Sequence, residues 1–508
     1  MKIVSVFRLA LAIFLAASLC SASAQPASQD ASKDIGKSQP SRGERREPGQ
    51  GILHLLPADA VTEHSVDTAQ GKLTYTATAG TLAFYDQSGS QSASVFYTAY
   101  VTKGSNRPVT FVFNGGPGAA SAFLHLGLVG PRILELGPNG HDAARAELHD
   151  NPNTWLAFTD LVMIDPIGTG WSRAAKADDA KHFWSVRSDA DAMAKAIALY
   201  VARNNRASSP KYLLGESYGG LRAAKVARAL QRDQGIAVSG IVMLSPLLEG
   251  WLTFGDDGSA LRAALQLPSL AAAELERKKA FGLEAMVAAE KFAMSDYLTT
   301  LAGRPPQGAA AKAFYDRVAQ ISGLPLDVVT QARGFVADSF VKSLRKSDGK
   351  IVSRYDAGFA VDDPFPELRT SRGGDPILDG VSRAYGGAFA DYARNELGFK
   401  TEITYALLAN DVTGNWDWHG GRLQVGAEDD LRTLLAFSPS FRLLIAHGYA
   451  DMVTPYGMTR YILDHLPPIG PPGRVRLMLY RGGHMFYIDP QSRKAFSTDA
   501  AAFYRVSE

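Results

Sequence analysis

The sequence predicts an α/β fold, a mostly parallel central sheet flanked by helices, on three observations. Six short apolar runs, at 109–113, 161–164, 211–214, 240–244, 441–446 and 475–480, are separated by longer stretches, as strands buried on both faces require. Ser217, Asp451 and His484 each stand just past the end of such a run, where an open α/β sheet places its ligands. Gly215-Glu216-Ser217-Tyr218-Gly219 joins an apolar run to an amphipathic one, the layout of a strand that reverses sharply into a helix.

Along the chain, residues 1–24 read as a secretory signal. Lys2 and Arg8 form the charged end, 9–19 the apolar stretch, and Ala22-Ser23-Ala24 the small-residue cleavage site. The apolar stretch is too short for a membrane span. Residues 25–50 are polar with almost no large apolar side chain, so they are expected to be a disordered leader. Between 64 and 101, alternation as in Lys72-Leu73-Thr74-Tyr75-Thr76 predicts antiparallel strands leading into the sheet. After Ser217, Arg222, Lys225 and Arg228 recur opposite Leu221, Ala224 and Leu230, which predicts an amphipathic helix with the three cations on its polar face. From 251 to 397 the pattern changes to alanine-rich helical segments at 269–281, 284–301, 308–321 and 326–344. That stretch is too long for a loop. It is expected to be a helical cap inserted in a catalytic domain made of 51–250 and 398–508.

The chemistry starts at Ser217. A strand-to-helix reversal needs small neighbours, supplied by Gly215 and Gly219, and leaves the serine exposed over the sheet end. A hydroxyl is a weak nucleophile, so it needs a base and a group that orients the base. His484, after 475–480, and Asp451, after 441–446, complete the order Ser, acid, His that α/β hydrolases use. Asp165 also follows a strand, but it precedes Ser217, which places it outside that order. His447, His125 and His419 are expected in structural or supporting roles. No His or Cys cluster has metal-ligand spacing, so neither a metal nor another cofactor is expected.

Several ordered blocks carry a family resemblance. Asn114-Gly115-Gly116-Pro117-Gly118, Gly215-Glu216-Ser217-Tyr218-Gly219, the Gly-x-x-Asp ending at Asp451, and Gly482-Gly483-His484-Met485 resemble the signature blocks of the serine carboxypeptidases. The blocks 151–155 and 165–172 resemble two more, in the family's order. The resemblance implies an α/β-hydrolase fold and removal of C-terminal residues from peptides through an acyl-enzyme on Ser217. It implies an oxyanion hole from the backbone N–H groups of Gly116 and Tyr218. Recognition of the free C-terminal carboxylate would fall to Asn114, Gly115 and Glu216. The family adds a second Glu, and here that position is Leu128. Arg132, directly after Pro131, is a candidate cationic substitute, with a surface or structural arginine as the other reading. Leu128 keeps an esterase or acyltransferase as the alternative, while the intact triad argues against an inactive binding protein. Met485 matches a family position on the leaving-group side, with core packing as the equal alternative. Eukaryotic members carry a disulfide next to the Asn-Gly-Gly-Pro-Gly block, where this chain has Ala119 and Ala120.

Composition agrees with an exported hydrolase. The 508 residues, 46% hydrophobic, suffice for a large core that needs no disulfide. The single cysteine, Cys20, lies in the signal segment. Leu19 before it differs from the small residue a lipoprotein site carries. The formal charge of +2 is accounted for by Lys2 and Arg8, so nothing favours nucleic acid or an anionic membrane as partner. A bacterial periplasmic or secreted location is expected, with no membrane insertion after signal cleavage and with peptides bearing a free C-terminus as partners.

Overall fold

The computed structural model describes residues 51–505 apart from Ser105, Pro138, Asn139 and Asp338. The expected signal segment 1–24 and leader 25–50 therefore lie outside the described residues.

Three antiparallel strands come first, β1 (Ala60–Thr68), β2 (Gly71–Tyr85) and β3 (Gln91–Thr102). The core strands follow: β4 (Val109–Phe113), β5 (Asp160–Ile164), β6 (Lys211–Glu216), β7 (Gly240–Leu244), β8 (Arg442–Gly448) and β9 (Val475–Tyr480). They pair in the order β1-β2-β3-β5-β4-β6-β7-β8-β9, and every pair from β5 to β9 is parallel. Each expected core strand is present. β6 and β8 run two residues further than their apolar runs, carrying Glu216 and His447 into the sheet. Between β4 and β6 the chain leaves toward opposite sides of the sheet, which opens a crevice at their carboxyl ends.

Each face of the sheet buries its own core. Val109, Phe111, Phe113 and Leu213 pack with α1 (Val186–Arg203) and α2 (Tyr218–Asp233), which supply Met193, Ile197, Leu221 and Val226. Val112, Tyr212 and Leu214 point the other way. Period-two alternation on a two-faced sheet produces this division.

The stretch after β7 is helical, with altered boundaries. α3 (Ala260–Arg277) starts before the expected 269 and runs through Pro268. Ser259 caps it, accepting from the Arg262 N–H, and burial of Ala263, Ala264, Leu267 and Leu270 offsets the proline's cost of about 3 kcal/mol. α4 (Leu283–Phe292) continues through a wide turn at Ala293–Tyr297 into Leu298–Ala302, and α5 is Gly308–Ser322. The expected helix at 326–344 is broken instead into Leu326–Gln331 and Phe340–Ser343. Gly334, at φ 89° between them, sits in a conformation a helix does not use. α6 (Ala384–Asn395), inside the stretch expected as cap, places Tyr385, Phe389 and Tyr392 in the core of the sheet, together with Phe496, Ala500 and Phe503 of α7 (Pro490–Arg505).

Asp160, at the start of β5, is the polar clamp on this side of the sheet. Its carboxylate accepts from Arg107 Nε at 3.0 Å, Arg206 Nη1 at 2.6 Å and the Thr102 N–H at 3.2 Å. Asp160→Ala leaves both guanidiniums without their carboxylate, and the expected loss is about 3 kcal/mol of unfolding free energy, read from urea denaturation. A midpoint equal to that of the unsubstituted protein would remove Asp160 as a clamp.

Candidate active site

Glycine contacts shape the turn at the end of β6. A Cβ on Gly215 would lie 1.9 Å from Gly219 O, and one on Gly219 2.7 Å from Phe113 O. Only hydrogen fits at either place. Ser217 between them has φ 60° and ψ −125°, a strained geometry for a residue with a side chain. Backbone bonds hold it there: its N–H donates to Leu244 O at 2.9 Å, and its O accepts from the N–H groups of Gly220 at 2.9 Å and Leu247 at 3.0 Å. Tyr218 then opens α2, and a first-turn N–H has no acceptor within its own helix. Gly115, after β4, meets the same turn, since a Cβ there would be 2.6 Å from Tyr218 N. Gly116 follows at φ 99° and is exposed.

Asp451 and His484 meet at 2.9 Å, from Oδ2 to Nδ1. Asp451 is fully buried, and its other oxygen accepts from the Val453 and Thr454 N–H groups at 2.8 and 3.0 Å. Burial alone raises its carboxyl, but His484 and these donors hold it below the ordinary value. For His484, burial works against the charged form, and the Asp451 charge and hydrogen bond lift it above the ordinary value. Such a pair stabilises an imidazolium. Ser245 and Thr454 stitch these loops to the end of β7: Ser245 Oγ donates to His484 O at 2.9 Å, and Thr454 Oγ1 donates to Ser245 O at 2.8 Å and lies 2.9 Å from Asp451 Oδ2. Leu244, which anchors Ser217, is the residue before Ser245, so the Ser217 and His484 segments share one strand end.

Glu216 is buried beside Ser217. Asn114 Nδ2 donates to its Oε2, and the Tyr487 hydroxyl donates to both oxygens, at 2.9 and 3.0 Å. Burial outweighs these donors and the nearby His484 charge, pushing the carboxyl up to about 7. Asn114 Oδ1 accepts from the Leu124 N–H at 3.1 Å, which fixes the amide's orientation. Asn114 O accepts from Arg222 Nη1, and Arg222 Nε donates to Asp189 at 2.6 Å. Arg222 is 1% exposed, so the expectation that it lies on the polar face of α2 is corrected. α2 is apolar on nearly every side, and a cation there requires a buried acid, which α1 supplies.

The two supporting blocks scaffold the segment after β4. Asn151 Nδ2 donates to Leu128 O and Gly130 O at 2.8 Å each, and Thr154 Oγ1 donates to Val129 O at 2.9 Å. Asp165 is buried and accepts from the Ser121 N–H at 2.8 Å and the Tyr405 hydroxyl at 3.3 Å. At Ala119 and Ala120, backbone pairing ties the segment to Leu407 and Leu408.

Of the two readings of Arg132, the structure supports the structural one. Its guanidinium pairs with Asp150 at 2.5 Å and Glu396 at 3.3 Å. Leu128 is fully buried and apolar, and the group that meets Glu216 is Tyr487. Sequence reasoning missed Tyr487, Arg222 and Asp189. For Arg222, the unbroken run of small and apolar residues around it was the available signal; nothing local marks Tyr487. His125 is core, bonded through Nε2 to Tyr100 at 2.8 Å. His447 lies beside Asp451, its Nδ1 4.0 Å from Asp451 Oδ2 and its Nε2 2.8 Å from Thr459 Oγ1. Burial drives its imidazole down to about 4, so it stays neutral. His419 is exposed, and its backbone N–H donates to Asp417 Oδ1 at 2.8 Å. Met485 is buried, its sulfur accepting from Ser382 Oγ at 3.4 Å.

Residues 71–248 match the family model of the serine carboxypeptidases. The chain is 28% identical over 151 residues to the pheromone-processing carboxypeptidase KEX1 of Yarrowia lipolytica, an alignment covering 29% of this chain and 22% of that protein. It is 29% identical over 164 residues to a serine carboxypeptidase-like protein of Oryza sativa subsp. japonica, covering 31% and 36%. It is 30% identical over 131 residues to the retinoid-inducible serine carboxypeptidase of Mus musculus, covering 25% and 26%. The chain thus spans at most 36% of these relatives' length. The family match includes Asn114 and Ser217 and stops before Asp451 and His484.

Glu216 links the site to stability. Its carboxyl moves from an ordinary 4.5 to about 7 on folding, so the folded state holds a proton that the unfolded state has lost. Stability from this group is full below 4.5 and falls as pH rises to about 7. In paired urea titrations across that range, the unsubstituted protein is expected to lose stability relative to Glu216→Gln. A constant difference at every pH would show that Glu216 titrates normally.

Proposed function

We propose that this chain is a secreted serine-type carboxypeptidase that removes C-terminal residues from peptides through an acyl-enzyme on Ser217. The Asn114–Glu216–Tyr487 cluster beside the nucleophile carries the reading. A carboxyl that stays protonated up to about 7 can donate a hydrogen bond to an incoming carboxylate, which an ionised one would repel. Asn114 and Gly115 supply further donors, and Tyr487 replaces the polar contact that Leu128 lacks.

In the reaction, Ser217 Oγ attacks the scissile carbonyl and His484 takes its proton, while Asp451 holds the imidazole with Nδ1 protonated. The carbonyl oxygen becomes an oxyanion, received by the N–H groups of Gly116 and Tyr218. The C–N bond then breaks, and His484 gives its proton to the leaving amine. Water, deprotonated by His484, releases the acyl group and restores Ser217. The helices between 260 and 322 form a cap over substrate access. Peptides with a free C-terminus are the partners.

An exported, periplasmic or secreted location rests on the charged, apolar and small-residue pattern of 1–24. Among the described residues no helix is long and apolar enough to cross a membrane. The esterase or acyltransferase reading keeps one supporting observation, the apolar Leu128.

The test compares a blocked peptide as free acid, amide and simple ester, followed by mass spectrometry. Stepwise shortening of the free acid alone is expected, with kcat reduced about a million-fold in Ser217→Ala. Ester cleavage without shortening would replace this reading by the alternative. KM for the free acid is expected to rise as pH passes about 7 and Glu216 ionises, while the ester's KM does not follow. Parallel profiles would separate Glu216 from carboxylate recognition.

A further inference from the structure

A cavity of about 460 Å³ borders the imidazole segment, walled by Tyr355, Tyr385, Gly483, Met485 and Arg493. Its position matters because the amine that receives the proton from His484 must lie against that imidazole. Gly483 and Met485 flank His484 in the chain. The Tyr355 ring stands edge-on to the imidazole at 5.3 Å and 88°, and Tyr355 O accepts the His484 N–H at 2.5 Å. The side chain of a released residue therefore has this cavity beside it.

Arg493 sets the chemistry of the cavity. It lies in the first turn of α7, is 6% exposed, and donates only from Nη1 to Tyr487 O, at 3.3 Å. Its Nε is buried without a partner, and it makes no ion pair among the described residues. A buried guanidinium without a carboxylate is costly, and a fork of N–H groups matches a carboxylate in two bonds. The carboxylates on the cavity wall are engaged elsewhere or open to water. Asp489 accepts from the Ser492 N–H at 2.8 Å, Asp356 accepts from the Gly358 N–H at 2.8 Å, and Glu135 is exposed. Burial pushes Asp356 up to about 7, so it is neutral in mild acid, and burial also lowers the uncharged threshold of His141. Glu135 and Asp489 act on Arg493 only at longer range, so the guanidinium faces the space without an ion-pair partner among the described residues.

We infer that this cavity receives the side chain of the released residue and that Arg493 selects an acidic one, Glu or Asp. The inference rests on the carboxypeptidase reading. The α-carboxylate has its own partners in Asn114, Gly115 and Glu216. Tyr385, on the cavity wall, is within electrostatic reach of both Arg493 and Glu216.

The experiment uses the full chain and blocked peptides identical except for a last residue of Glu, Leu or Lys. Glu is expected to exceed Leu by about tenfold in kcat/KM, and Arg493→Gln to abolish that ratio, with Arg493→Lys retaining part of it. A ratio unchanged by Arg493→Gln, a preference for Lys, or an equal loss for all three peptides would each overturn the inference, the last by assigning Arg493 to the α-carboxylate. If no peptide is shortened, the carboxypeptidase reading fails separately, and the pocket is decided by binding to Ser217→Ala. Thermal stabilisation by the Glu-ending peptide above the Leu-ending one, lost in the Ser217→Ala/Arg493→Gln protein, supports the pocket; equal shifts refute it.

Discussion

The close approach of two backbone turns governs the site. The turn after β4 and the turn after β6 touch so tightly that Gly115, Gly215 and Gly219 have no room for a Cβ. This contact presents Ser217 at an unusual φ, brings Gly115 to the amide of Tyr218 and puts Asn114 against Glu216. The parallel sheet makes the contact possible, because β4 and β6 are neighbours and both turns leave at their carboxyl ends. The Arg222–Asp189 pair then locks it from below by holding Asn114 O.

Within this small volume two carboxyls are pushed in opposite directions. Asp451 has an imidazole and two backbone N–H donors, and stays ionised. Glu216 has a phenol and an amide but more burial than these offset, and keeps its proton to about 7. Groups whose environments separate their protonation states are suited to different tasks. Here one is held ionised against an imidazole and the other is suited to donate to an anion.

Much of this was legible along the chain. The six apolar runs are the six core strands, and the glycines around Ser217 announce the reversal because no larger residue survives there. Asp451 and His484 are legible as polar residues ending strands. The failures share a cause. Arg222 looked solvent-facing because Lys225 and Arg228 repeat with it, yet α2 is wedged between the sheet and α1. The partners of Arg132, Asp150 and Glu396, were not legible because they lie on other elements. The segment 326–344 reads as one helix until Gly334 takes a positive φ.

By itself the sequence determined the strands, the elbow and which side chains stand at the strand ends, since these depend on periodicity and on steric demands at single residues. Tertiary structure alone decided the charge states and the partners. Tyr487 meets Glu216 across 271 residues and Arg222 meets Asp189 across 33. Burial sets what each carboxyl or guanidinium costs, and burial is a property of elements that meet only after the chain has folded.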